Sequence, residues 1–480
     1  MQPISKPDDL EIQEPSDPPI ESLPPEILCE IFLLAIKRPY KIFGDQYQGP
    51  WLPARVCRRW RDIAWGCPAL WSSIMVYWPE PGKADAGKKL LLDALQRTGR
   101  SGISITILLS LDFPDTIIEG LVQHSSQWRD VHLPTLPSST WTQLAQPHLP
   151  PLHLPSLRSL AIGRQPSVDE LSAILDMFKD MPTLRSFQFH TYRAPSSDFD
   201  PSKIQVPWWQ LTHLVMSLGP TRECSVDASI KVLRLCSSLE TLREETMLKD
   251  GPGTTPVTLG RLRSLSVRSL QLLHHLVCPV LEDLSILPRY DVPFSISTLS
   301  QFVTHSECRL LSLDIWLSRK LAEPRKLLLC VPHLCKLVLR MDCYDTTTNG
   351  AEILKCLDLD DTSMTLPNLN IFDLKVPEIF TGEPLYEEVD ELLVRIIDRR
   401  WNVPQESPVS QLRQVRIRCT LAGIGEAIDV EDQGDRAARN HRTLSRIDRL
   451  KSFKKEGLDI SIIFEQENRL NGMLQDCVFL

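Results

Sequence analysis

The chain lacks most of the signals that tie a protein to a compartment or a chemistry. Residues 1–22 (MQPISKPDDLEIQEPSDPPIES) hold no apolar core, so no secretory leader is expected there. No uninterrupted apolar run reaches the roughly 20 residues that a membrane helix needs. The 13 cysteines form no CxxC pair and no regular framework. The expectation is therefore reduced thiols, many of them buried, in the cytoplasm or nucleus. Basic charge is not in excess: the net charge of −8 and pI near 5.8 give no global pull toward nucleic acid or an anionic membrane.

Catalytic signatures are scarce as well. HExxH and GxSxG are absent. Residues 82–88 match GxxxxGK, but Lys89 stands where a nucleotide loop needs Ser or Thr to hold its magnesium ion. That stretch reads instead as a helix start leading into Leu90, Leu91, Leu92 and Leu95, with a nucleotide-binding enzyme using residues 82–89 as the remote alternative. His274-His275 lies in an apolar run near Cys278, short of the three or four ligands of a metal site. Cys330 and Cys335 have the wrong spacing for a zinc knuckle, and Asp358, Asp360 and Asp361 lack the Gly turn and final Glu of a calcium loop. No catalytic residue, metal or cofactor is assigned.

What is present begins with a tail. Residues 1–21 set six acids against a single Lys6, among five prolines. Such a segment buries too little apolar area to offset its ordering entropy and is expected to be disordered. Ser22 offers an N-cap, and Pro24 and Pro25 suit a first helical turn, where missing amide donors cost little. Ile27, Leu28, Ile31, Phe32 and Ala35 then form a broad apolar face over a helix 23–36. A Gly/Pro-broken loop (38–53) follows, anchored by Trp51 and Leu52. A second helix is expected over 54–65, with Val56, Trp60 and Ala64 on one face and Arg55, Arg58, Arg59 and Arg61 on the other.

These residues carry a resemblance. Leu23-Pro24, Ile27-Leu28, Ile31-Phe32, Val56-Cys57-Arg58-Arg59-Trp60 and Leu70-Trp71 are similar to the F-box of the F-box-like proteins common in large fungal families. The long loop with Pro50 and Pro53 departs from that pattern. The resemblance implies a helical module, residues 22–75, that docks on the Skp-type adaptor of cullin ubiquitin ligases. Leu23, Pro24, Ile27, Leu28, Ile31 and Phe32 would form much of the adaptor-facing surface, joined or braced by Val56, Cys57 and Trp60.

Downstream, an apolar-x-x-apolar-x-apolar core recurs, from Trp128/Val131/Leu133 through Leu157/Leu160/Ile162, Leu313/Ile315 and Leu334/Leu337/Leu339 to Leu412/Val415/Ile417. Leu239/Leu242 fits twice and fails at Glu244. First positions are 19 to 29 residues apart as far as Leu334, then 35 and 43 apart, against roughly 20–29 for leucine-rich repeats. The Asn or Cys that usually ends such a core is missing, so an irregular solenoid is expected, with insertions near 340–365 and 375–410. Ser167 to Glu170 forms a capping box for a helix carrying Leu171, Ile174, Leu175 and Phe178. Val389, Leu392, Leu393, Ile396 and Ile397 form another stripe. Residues 425–457 read as a charged, exposed helix, and 458–464 as a last strand.

The fold expected is α/β: a small N-terminal helical F-box, then a solenoid of irregular leucine-rich repeats over 82–480, with strand–helix units and a mostly parallel sheet. The resemblance implies a non-catalytic substrate receptor of a ubiquitin ligase, partnered by the adaptor, a cullin and an unknown target protein, with neither nucleic acid nor membrane. The alternative is a repeat scaffold acting outside a ligase.

Overall fold

The computed structural model describes residue 20 and residues 22–478, except 37, 43–48, 78–83, 109–114, 136–151, 166–167, 177, 179–180, 192–199, 219–223, 250–254, 288–293, 318–322, 342–350, 360–364, 378–386, 422–444 and 468–473. The tail 1–21 apart from Ile20, residues 342–350, 360–364 and 378–386 of the expected insertions, and 425–444 of the charged segment fall outside the described residues. The fold is mixed α/β with a large, mostly parallel sheet. Contacts divide the chain into two compact units, Met1–Leu160 with Met177–Thr183, and Ala161–Asp176 with Leu184–Leu480. No helix among the described residues is long and apolar enough to cross a membrane.

In the first unit the N-terminal helices come first. Helix α1 spans Pro25–Ala35, and Pro24 occupies its cap with no side-chain cap bond, so Ser22 does not cap it. Two prolines at the start remove donors that would otherwise lack partners, and Leu28 N–H is bonded to the Pro24 carbonyl at 3.1 Å. The second expected helix is broken. A 3-10 turn covers Pro53–Arg55, Cys57 is extended (φ −152°, ψ 173°), and helix α2 runs only over Arg58–Trp65. The Cys57 sulfur accepts from Trp60 N–H at 3.4 Å, which starts α2 there and leaves Val56 outside it. A short helix, α3, covers Pro68–Trp71.

A parallel ladder follows in the same unit: Tyr40–Lys41, Ser73–Tyr77, Ile103–Leu108 and Trp128–Thr135. The loop after α1 therefore supplies an edge strand, and the helical module shares its sheet with residues beyond 100. The GxxxxGK stretch is helical from Ala84 onward, within helix α4 (Ala84–Arg97). It is no phosphate-wrapping loop there. Gly99, at φ +57°, ends that helix in the left-handed conformation glycine favours.

In the second unit each repeat core forms a strand. Leu214, Leu242, Leu265, Leu284, Leu313, Leu337, Phe372, Val415 and Ile460 pair in parallel register. All are buried, and each buried side chain of this size contributes about 1.5–3 kcal/mol of transfer free energy. Just before the strands, eight carbonyls (Arg185, Thr212, Glu240, Arg263, Glu282, Leu311, Cys335 and Asn370) each accept two successive N–H groups of the following coil, at 2.8–3.1 Å. Backbone thus ties coil to coil where the expected Asn or Cys side chains are missing.

The long intervals are not bare insertions, for they contain helices Ala351–Leu357 and Glu387–Trp401. The charged segment also differs from expectation. Residues 445–455 are helical, with Leu450 and Phe453 buried. Arg446 meets Glu391 at 2.5 Å and Arg449 meets Asp398 at 2.8 Å, which docks one face of this helix on Glu387–Trp401, while Asp448, Lys451, Lys454 and Lys455 are exposed as expected. The last parallel strand is Asp459–Glu467, and an antiparallel strand, Leu474–Val478, follows it.

Candidate docking surface

Helix α1 carries apolar residues on two faces. On the inner face Leu28 and Phe32 are buried, and the Phe32 ring lies 4.9 Å from that of Trp60. The outer face, at the i, i+4, i+7 spacing, holds Ile27, Ile31 and Leu34. Ile27 is 46% exposed and Leu34 86%. Such exposure is unusual when it recurs along one helix.

The expected site residues therefore split into two groups. Leu28 and Phe32 lie in the interior of the module, and this corrects their expected place on a partner-facing surface: α1 must bury one face to pack against α2. Trp60 is half-buried behind them. Leu23 and Ile31 are half-buried, while Pro24, Ile27, Val56 and Cys57 are exposed, Val56 to 61%. Arg59 donates to the Leu23 carbonyl at 2.5 Å and Arg61 to the Ala54 carbonyl at 2.9 Å. The first bond ties α2 to Leu23, just before α1, and the second closes the turn that precedes α2, where Val56 and Cys57 are exposed. Two of the four arginines expected to form a basic face are thus spent on the backbone.

The irregular loop is held by aromatic packing. Tyr40 is buried and donates its hydroxyl to the Trp71 carbonyl at 3.2 Å. Trp71 donates its indole N–H to the Ala64 carbonyl at 2.9 Å. Tyr40, Trp51 and Trp71 make mutual edge contacts at 5.4–6.4 Å between centroids. Gly49, at φ +74°, lets the chain pass where a Cβ would sit 2.9 Å from that of Tyr40. Trp51 is the anchor that was expected. Leu52 is not, for it is exposed.

Sequence reasoning missed Leu34 and Trp65, and took the exposed Leu52 for an anchor. Leu34 lies seven residues beyond Ile27, and that spacing alone could have placed it on the stripe. Of nine large apolar side chains exposed among the described residues, six lie between Ile20 and Trp65. Exposure is thus concentrated on the N-terminal helical module rather than scattered. Trp65 is covered in part by the Arg97 guanidinium, 4.8 Å from its ring.

Other candidates resolve differently. Lys88 is half-buried and Lys89 exposed, both inside α4. His274 is exposed and lies 3.2 Å from the Thr298 hydroxyl, while Cys278 is buried, its thiol pushed up to about 12 by burial. Asp358 takes ion pairs from Arg395 and Arg399 at 2.9 and 3.0 Å. Trp208 is buried and Trp209 exposed. No protein-family model matches the chain, and no curated protein matches it.

Proposed function

We propose that this protein is a non-catalytic substrate receptor: its N-terminal module docks on a Skp-type adaptor in a cullin ubiquitin ligase, and its repeats present a target protein. The observation that carries this reading is the outward stripe of Ile27, Ile31 and Leu34, together with the exposed Val56 and Cys57 ahead of α2, on the segment whose sequence resembles an F-box. A folded chain that leaves such a stripe in water has a surface suited to burial against another protein. The irregular leucine-rich-repeat reading of the sheet is supported by its parallel register and its 19- to 29-residue coils. A receptor of this kind needs no reacting side chain, because holding a target beside a charged conjugating enzyme raises its effective concentration.

Co-purification tests the reading. Ile27→Asp with Val56→Asp is expected to abolish adaptor capture while the protein stays folded, because burying each charge at an interface costs several kcal/mol. Retained capture would remove the F-box assignment. Adaptor without cullin in the wild-type eluate would favour a scaffold outside a ligase.

A further inference from the structure

Four neighbouring strands of the second unit, Ser312–Leu317, Lys336–Met341, Ile371–Pro377 and Gln414–Leu421, alternate between a buried and an outward row over 312–316, 336–341, 371–376 and 414–418. The outward residues include Lys336, Arg340, Lys375, Arg416 and Arg418 against Asp314 and Asp373. Five cations therefore meet two acids on one face of a chain whose net charge is −8. The register sharpens this: Arg340, Lys375 and Arg418 are successive partners across three strands, so they recur about every 4.8 Å. Asp373 and Arg416 are partners in the row beneath.

The two acids behave differently. Asp314 is committed, taking both arms of Arg340 at 2.8 and 2.6 Å. Asp373 is not: its Oδ1 is buried without a hydrogen-bond partner among the described residues. Burial raises its pKa, while Lys336, Arg416 and Arg418 act in the opposite sense. Arg416 and Lys336 form no ion pair among the described residues. An orphan acceptor thus lies near two cations, Lys336 and Arg416, that no ion pair among the described residues engages. Groups of this kind are usually satisfied by something.

We propose that this sheet face binds an acidic peptide segment, rich in Asp or Glu, of a partner protein. Its carboxylates would meet Arg416 and Lys336, and its backbone N–H groups would reach Asp373. The carboxylate of Asp373 is what selects a peptide: it repels a phosphate dianion or a nucleic-acid backbone but accepts an amide donor. Only in calling the partner a target does the inference rest on the receptor reading.

The test uses the purified full chain without adaptor, so that it reads the sheet face alone. The probe is a short fluorescein-labelled peptide alternating Glu and Ser, with its Gln-for-Glu counterpart, a phosphoserine peptide and a single-stranded DNA oligonucleotide as comparisons. The Glu peptide is expected to bind and the Gln peptide not, with affinity falling as salt rises. Arg416→Glu with Lys336→Glu should weaken it at least about tenfold, with circular dichroism and adaptor capture unchanged. Asp373→Asn should let the phosphoserine peptide compete better. The proposal is overturned if the Glu peptide fails to bind, or if the double variant binds it as well as wild type. Tighter binding of DNA or the phosphoserine peptide to the wild type would also overturn it. So would binding that appears only after the acids Glu426, Asp429, Glu431 and Asp432 are neutralised, since that stretch would then be the occupant.

Discussion

Glu244 occupies a core position that the neighbouring strands fill with Met216 and Val267. It is 1% exposed; Oε1 accepts from Thr246 N–H at 3.1 Å, and Oε2 has no hydrogen-bond partner among the described residues. Burial pushes its pKa up to about 8, against the pull of Thr246 and Ser229. The folded state therefore holds this proton more tightly than the unfolded chain, whose carboxyl titrates near 4.5. Its contribution to stability is complete below about pH 4.5 and is lost as pH rises through about 8. Glu244→Gln should flatten that decline, gaining on the order of 2–4 kcal/mol relative to wild type at pH 9, as read by urea midpoints across pH. Arg400 is the buried cation of the unit, donating to the carbonyls of Leu357, Thr365 and Leu366 at 2.7–3.2 Å. Arg400→Met takes that donor from the Leu357 and Thr365 carbonyls, while Leu366 keeps the N–H of Leu369, and should cost about 3 kcal/mol or more in the same assay. The sequence marks Glu244 as a break in a pattern, but it gives no sign that Arg400 is internal. A long cation is usually at the surface, and only the meeting of distant backbone carbonyls makes burial tolerable.

At the scale of elements, the two faces of α1 separate folding from docking. Phe32→Ala should destabilise the protein by about 3–5 kcal/mol through the cavity left against Trp60. Leu34→Ala should change stability by less than about 0.5 kcal/mol yet weaken adaptor capture. Thermal unfolding beside pull-down distinguishes the two effects. Helix α1 was legible because eleven residues allow a 3.6-residue period to repeat. Which of its two apolar faces turns inward was not legible, since that depends on where α2 begins. The start of α2 was misjudged for a local reason: the backbone of Cys57 turns extended and its sulfur caps the next turn. Composition alone made the 445–455 helix look exposed, but a mixed-sign face also suits a neighbouring helix of complementary charge.

Across the whole molecule, the strands were legible from leucine spacing and the backbone relay was not. Its eight paired acceptors are carbonyls, identical in every residue. The relay predicts an asymmetry at Cys335, whose N–H bonds to Leu311 O at 2.8 Å. Cys335→Ser should leave stability within about 0.5 kcal/mol of wild type. Cys335→Pro removes the donor and should cost about 3 kcal/mol or more. Equal denaturation midpoints for the two variants would show that the relay carries no weight.

A tether made of main-chain carbonyls has a mechanical consequence. Each coil of the second unit is fastened mainly to the next one by main chain, and side-chain links such as Arg340–Asp314 occur at single coils rather than at every one. Pulled from its two ends, such an array yields in a series of small steps, one coil at a time, rather than in a single rupture. The size of each step is the contour length of a coil, so it is long where the spacing widens to 35 and 43 residues and short near Leu281.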